Sequence, residues 1–241
     1  MKPGLKNSDA VHAPNTPMRQ LRFLALVLIG AAAAVGILSI LVVGFIHREH
    51  AAERRWQEEH LASEVARCMQ DLTSGASNEI YLYGMRRTDE LLERFRERTD
   101  VRSILLEDTD ISDAGMAHIA TMPNLKQLAL TMADRVGDSG LAAIAGHKPL
   151  EKLWLYNTHI SNDGLASLET FPGLSTLGLH WSWRGERPTD ACVVYLKQLT
   201  NLKTLIIGGD WISASGIAQI RSALPQCDVK LQGWEPASED P

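Results

Sequence analysis

Apolar residues recur as a fixed triplet along the second half of the chain. Val101-x-x-Ile104-x-Leu106 is followed by Leu125-x-x-Leu128-x-Leu130 and Leu150-x-x-Leu153-x-Leu155. Leu174-x-x-Leu177-x-Leu179 and Leu202-x-x-Leu205-x-Ile207 complete the series. Successive triplets start 24, 25, 24 and 28 residues apart. The last two apolar positions flank an outward one, the period of a strand with a single buried face. A repeat of this length marks stacked supersecondary units, none of which hides its leucines alone. Counting 24 back from Ile104 and Leu106 reaches Ile80 and Leu82; counting 24 forward from Ile207 reaches Leu231, with Val229 two earlier. The pattern predicts an α/β solenoid over residues 78–234, with six units and a closing strand. Seven parallel strands about 4.8 Å apart would make a sheet roughly 29 Å long.

Each unit also carries a helix start. The aligned positions Thr88, Ser112, Gly137, Ser161, Thr189 and Ser213 are all residue types that cap a helix N-terminus. Asp89, Asp113, Asp138, Asn162 and Asp190 come next, at the positive end of the helix dipole. Gly115, Gly140, Gly164 and Gly216 follow two or three residues later. Glycine inside a helix costs up to about 1 kcal/mol against alanine, so its recurrence predicts close packing between units where a side chain would not fit. Cys192 takes that place in one unit and is expected to be a small buried thiol.

Residues 111–130, ISDAGMAHIATMPNLKQLAL, resemble the leucine-rich-repeat family. The ribonuclease-inhibitor-like and cysteine-containing-like kinds are nearest in pattern, with L-x-x-L-x-L, a small polar position, then I-[ST]-D-x-G-L. The resemblance spans about residues 78–232. It implies parallel strands lining a concave face, helices on the convex face, and a binding or scaffolding role. Where the family usually has Asn or Cys after the triplet, this chain has Thr109 and Thr158. An anchor joined to a short repeat array also resembles membrane-anchored proteins of bacterial envelopes.

The anchor is read from Phe23–Ile46, a run of 24 residues without a charge. As a helix at about 1.5 Å per residue it spans roughly 36 Å, enough to cross a hydrocarbon core of about 30 Å. A signal peptide cleaved near Ala31–Ala33 is the competing reading, but an h-region is about 7–15 residues long, and cleavage would strand an apolar stub. An uncleaved transmembrane helix over 22–48 fits better, preceded by a disordered tail over 1–21 rich in proline. Basic residues tie across the two flanks, Lys2, Lys6, Arg19 and Arg22 against Arg48, Arg54, Arg55 and Arg67. The short N-terminal flank favours an N-terminus in the cytoplasm and repeats outside. Residues 49–77 predict a juxtamembrane helix with a narrow apolar stripe, Leu61, Val65, Cys68 or Met69, and Leu72. That stripe suits a solenoid cap or a homodimeric coiled coil through 51–72. Residues 235–241 form an acidic tail.

Charge and cysteine usage narrow the function. Residues 1–50 carry five Lys/Arg and two Asp/Glu, so of the totals of 24 and 29 the remainder holds 19 basic against 27 acidic. An acidic body is a poor polyanion binder, which argues against nucleic acid. Three cysteines at irregular spacing give neither a disulfide framework nor a metal-ligand pattern. No cofactor is expected. Glu107, Asp108 and Asp110 share a loop with Asp134 one unit on, but loop carboxylates on a solenoid are usually solvated, and no nucleophile–base pair accompanies them. The chain is not expected to be an enzyme.

A binding surface is expected on the strand face. Alternation turns outward Tyr81 and Tyr83; Ser103, Leu105 and Glu107; Gln127, Ala129 and Thr131; Lys152, Trp154 and Tyr156; Thr176, Gly178 and His180; and Thr204, Ile206 and Gly208. The unit after Tyr156 has four extra residues, and its insertion contains Trp181, Trp183 and Arg184; Asp210 and Trp211 come from the matching loop one unit on. Lys152, Trp154, Tyr156, His180, Trp181, Trp183, Arg184, Asp210 and Trp211 are therefore the candidate patch, rich in the residue types that dominate hot spots. Local packing of the tryptophans is the alternative. Gly178 is expected to leave a slot beside Trp154. The expectation is a single-pass membrane protein binding a protein or other macromolecule through its concave face. An envelope scaffold without a dedicated ligand, and an enzyme or enzyme inhibitor, stand as alternatives.

Overall fold

The computed structural model describes residues 48, 55, 59–182 and 187–234. The expected tail 1–21, the membrane segment Phe23–Ile46, Trp183, Arg184 and the acidic tail 235–241 lie outside the described residues. Among the described residues no helix is long and apolar enough to cross a membrane. Contacts divide the chain into Met1–Trp56 and Gln57–Pro241, and the strands among the described residues lie in the second unit.

That unit begins with helix α1 (59–74), which ends at Gly75 with φ +71°. The repeats follow as β1 (Glu79–Tyr83), α2 (Thr88–Glu93), β2 (Ser103–Glu107), α3 (Asp113–Ile119), β3 (Gln127–Thr131) and α4 (Asp138–Ala143). They continue through β4 (Lys152–Tyr156), α5 (Asn162–Ala166), β5 (Thr176–Trp181), α6 (Val193–Leu196), β6 (Thr204–Gly209), α7 (Ala214–Ala223) and β7 (Asp228–Trp234). Short 3-10 turns at Ser167–Thr170 and Asp190–Cys192 extend α5 and precede α6. The seven strands form one sheet in chain order, every pair parallel.

The register matches the counting of leucines. Ile80 and Leu82 lie beside Ile104 and Leu106, and Val229 and Leu231 beside Leu205 and Ile207. The triplet leucines of the inner units are almost entirely shielded, as Leu128, Leu130, Leu153, Leu155, Leu177 and Leu179 show. Each buried aliphatic side chain contributes about 1.5–3 kcal/mol before chain entropy is charged against it. Leu231, in the last strand, stays 37 % exposed because no further repeat strand follows it among the described residues. At the other end, Leu61, Cys68 and Leu72 of α1 are buried in the same core, with Val65 and Met69 packed against it. The stripe thus caps the solenoid, and its apolar residues are already covered within one chain.

Consecutive units are joined by more than the sheet. Asp138 in the first turn of α4 accepts from the backbone N–H (2.8 Å) and hydroxyl (2.6 Å) of Ser161, the N-cap of α5. Asp89 does the same to Ser112, at 2.9 and 2.5 Å, and Asp190 to Ser213. Asp113 accepts from Gly137 N–H at 2.8 Å, and Asn162 Oδ1 from Thr189 N–H at 2.9 Å. Each carboxylate or amide therefore stands one unit upstream of the cap it satisfies. These contacts also explain the glycines. A Cβ on Gly164 would sit 2.0 Å from Asp138 Oδ1, and one on Gly115 2.3 Å from Asp89 Oδ1. Cys192 fills the glycine place in the one unit whose upstream partner is Asn162 rather than Asp. It is fully buried, and burial pushes its thiol up to about 12.

One expected local feature differs. Thr88 lies inside α2, because Arg87 adopts the left-handed region (φ +60°) and becomes the N-cap; the Thr88 hydroxyl turns back to Met85 O at 3.3 Å.

Candidate binding surface

The strand face away from the helices is built by three rows of side chains that the parallel register sets side by side, the first of them at the strand starts from Glu79 through Lys152 and Thr176 to Asp228. The middle row runs Tyr81, Leu105, Ala129, Trp154, Gly178, Ile206 and Lys230. The row at the strand ends runs Tyr83, Glu107, Thr131, Tyr156, His180, Gly208 and Gln232. Lys152 is exposed at the start of β4, and Trp154, Tyr156 and His180 are half-buried.

These aromatic side chains all lean toward the next unit. A Cβ on Gly178 would meet Trp154 Cδ1 at 2.2 Å and the Tyr156 hydroxyl at 2.9 Å. A Cβ on Gly208 would meet His180 Nδ1 at 2.7 Å. The expected slot at Gly178 is therefore filled by the Trp154 indole, which lies across the bare backbone. The rings of Tyr156 and His180 sit 5.7 Å apart and tilted by 55°. Burial raises the Tyr156 hydroxyl above its ordinary range and lowers His180, so the imidazole is neutral near pH 7.

The tryptophans at positions 181 and 211 are not part of this surface. Trp181 has no exposure and Trp211 only 2 %. In neighbouring units the chain leaves the strand through a left-handed residue, Asp108 (φ +49°), Met132 (φ +54°) or Asn157 (φ +51°). β5 instead stays extended for one more residue, paired with Gly209, and alternation turns Trp181 inward. Its indole N–H donates to Thr158 O at 2.8 Å, and that of Trp211 to Gly208 O at 2.8 Å. The two rings pack edge to face, 5.1 Å apart. Both are core residues whose polar atoms are satisfied. Asp210 is half-buried and held by the Arg187 guanidinium. The structure thus brings Lys152, Trp154, Tyr156 and His180 together on the surface and takes Trp181 and Trp211 away from it.

Alternation of the chain pointed to a second aromatic group but did not single it out. Tyr81 and Tyr83 are 45 % and 63 % exposed at the opposite end of the face. Met132 is 52 % exposed at the end of β3, in a backbone region that methionine rarely adopts. The loop carboxylates are scattered in role. Asp110 accepts from the N–H groups of Arg87 and Thr88 at 2.9 Å each. Burial pulls it upward, but those bonds outweigh burial and hold it below the ordinary carboxylate range. Among the described residues no group of three His, Cys, Asp or Glu is placed to hold a metal ion.

No family model and no curated protein sequence matches the chain. One solved structure it is similar to is leiomodin-1 actin-binding site 2, at 19 % identity and a TM-score of 0.45. That likeness covers 58 % of this chain and 86 % of the other. The repeat architecture rests on the register and burial described above.

Proposed function

We propose that this chain is a membrane-anchored binding module whose strand face holds a segment of another protein. Phe23–Ile46 would be its anchor, with the N-terminus in the cytoplasm and the repeats on the other side of the bilayer. It works by binding, without chemistry of its own. The observation that carries this reading is the shelf of Trp154, Tyr156 and His180. A fold governed by stability alone gains little from large half-exposed rings on an outward row, and here glycines in the next strand let those rings lie flat. Such surfaces supply large contact area at low side-chain entropy.

A scaffold that dimerises through 51–72 has less support, since Leu61, Cys68 and Leu72 are already buried within their own chain. The test is crosslinking in native membranes with wild type, Trp154→Ala and Tyr156→Ala. Loss of the adduct in a variant that melts like wild type supports the proposal. An adduct unchanged in both variants overturns it.

A further inference from the structure

We infer that the partner presents an arginine or lysine, seated between Glu107 and Tyr156 above Thr131, with apolar neighbours resting on Leu105 and Ala129. This inference deepens the binding-module proposal and rests on it. Glu107, Thr131 and Tyr156 are adjacent in the strand-end row, so carboxylate and ring stand two strand spacings, roughly 10 Å, apart. The residue between them is small, and so is Ala129 beside it. Tyr156 leans away from Thr131 toward Gly178, which keeps the gap open. On the far side the Tyr81 hydroxyl approaches Glu107 at 3.5 Å, a long contact that leaves most of the carboxylate's acceptor capacity unused.

Carboxylate on one side and aromatic ring on the other is the pairing that recognises a cationic side chain, by charge-assisted hydrogen bonding and by cation–π attraction. Arg86 engages Asp108 rather than Glu107, through a hydrogen bond to its carbonyl at 3.1 Å and an ion pair with its carboxylate at 4.0 Å. Met132 adds an apolar contact at the same edge. Its side chain is more than half exposed, at a position occupied in neighbouring units by Gly84, Asp108 and Asn157, residue types that suit the left-handed backbone. A partner segment carrying a cation flanked by aliphatic side chains meets all of these groups together.

The test titrates the full-length chain in detergent with two fluorescent peptides of leucine and serine, alike except for a central arginine or citrulline. Citrulline keeps the shape and removes the charge. Wild type should bind the arginine peptide at least about tenfold more tightly. Glu107→Gln should bring that ratio close to one, and Ala129→Arg should weaken both peptides. A ratio near one in wild type, a ratio unchanged in Glu107→Gln, or no binding of either peptide overturns the cation seat. The wider proposal falls separately, if the Trp154-dependent adduct in native membranes is missing. Should that adduct persist while the arginine preference is absent, the face binds a partner of different chemistry.

Discussion

Replacing Gly164 by alanine tests how the units are joined. In an ordinary helix the change would stabilise by about 1 kcal/mol, because alanine is the better helix former. Here the new Cβ would stand 2.0 Å from Asp138 Oδ1, 2.6 Å from its Cγ and 2.9 Å from Ile160 Cγ2. The carboxylate must move, and it then gives up its bonds to the Ser161 N–H and hydroxyl. Hydrogen bonds to a charged group contribute about 1.5–3 kcal/mol each, and the lower end applies at a half-exposed site. Less the gain in propensity, Gly164→Ala should destabilise by about 2 kcal/mol and lower Tm by roughly 4–8 °C for a domain of this size. Asp138→Ala removes the same two bonds and should cost a similar amount. In the double variant the obstacle is gone, so its loss should be smaller than the sum of the two single losses by about 2 kcal/mol. Urea unfolding of the four proteins, followed by circular dichroism, closes the cycle. A neutral or stabilising Gly164→Ala, or strictly additive losses, would refute the reasoning.

Met132→Gly should raise stability by about 1 kcal/mol, since glycine carries no penalty in the left-handed region; urea unfolding reads this directly. Trp181→Ala should lose about 3–5 kcal/mol and fail to accumulate as folded protein, whereas Trp154→Ala should melt near wild type. Cys192 should resist alkylation in the native protein at neutral pH, because its buried thiol is pushed up to about 12; quantitative labelling at each cysteine should find modification there only on unfolding. His147 has a buried Nε2 without a hydrogen-bond partner, and burial lowers it below its ordinary 6.5. The unfolded chain takes up this proton first on acidification. The contribution of neutral His147 should therefore be intact above about pH 6.5 and decline as pH falls through the lowered value. Urea midpoints at successive pH values should fall less steeply in His147→Gln than in wild type.

Much of the architecture was legible because it depends on spacing alone. The offset of 24 residues located β1 through Ile80 and Leu82 and β7 through Leu231, ahead of any side-chain contact. The outward rows followed from alternation once that frame was set. The glycines announced tight packing, but not what they pack against. Asp138 and Ser161 are 23 residues apart, and their contact acquires meaning only when two units are stacked in register. Trp181 was misplaced for a related reason. β5 runs one residue longer than the four strands before it, so alternation continues to Trp181 and turns it inward, and a stretch of Leu-His-Trp does not reveal where the strand ends. The direction in which Trp154 and Tyr156 lean was invisible too, because it is set by the absence of a side chain at Gly178, one strand away. The structure sets Lys152, Trp154, Tyr156 and His180 on the strand face and carries Trp181 and Trp211 into the core.

The most direct test of the strand face as the binding surface is site-specific photocrosslinking in native membranes. A photoreactive residue at Thr176, on the open face beside Lys152, is compared with one at Ser139, exposed on α4. The account predicts a discrete adduct from position 176 that disappears with Trp154→Ala, and none from position 139. An adduct from position 139 alone, or equal adducts from both, would contradict it.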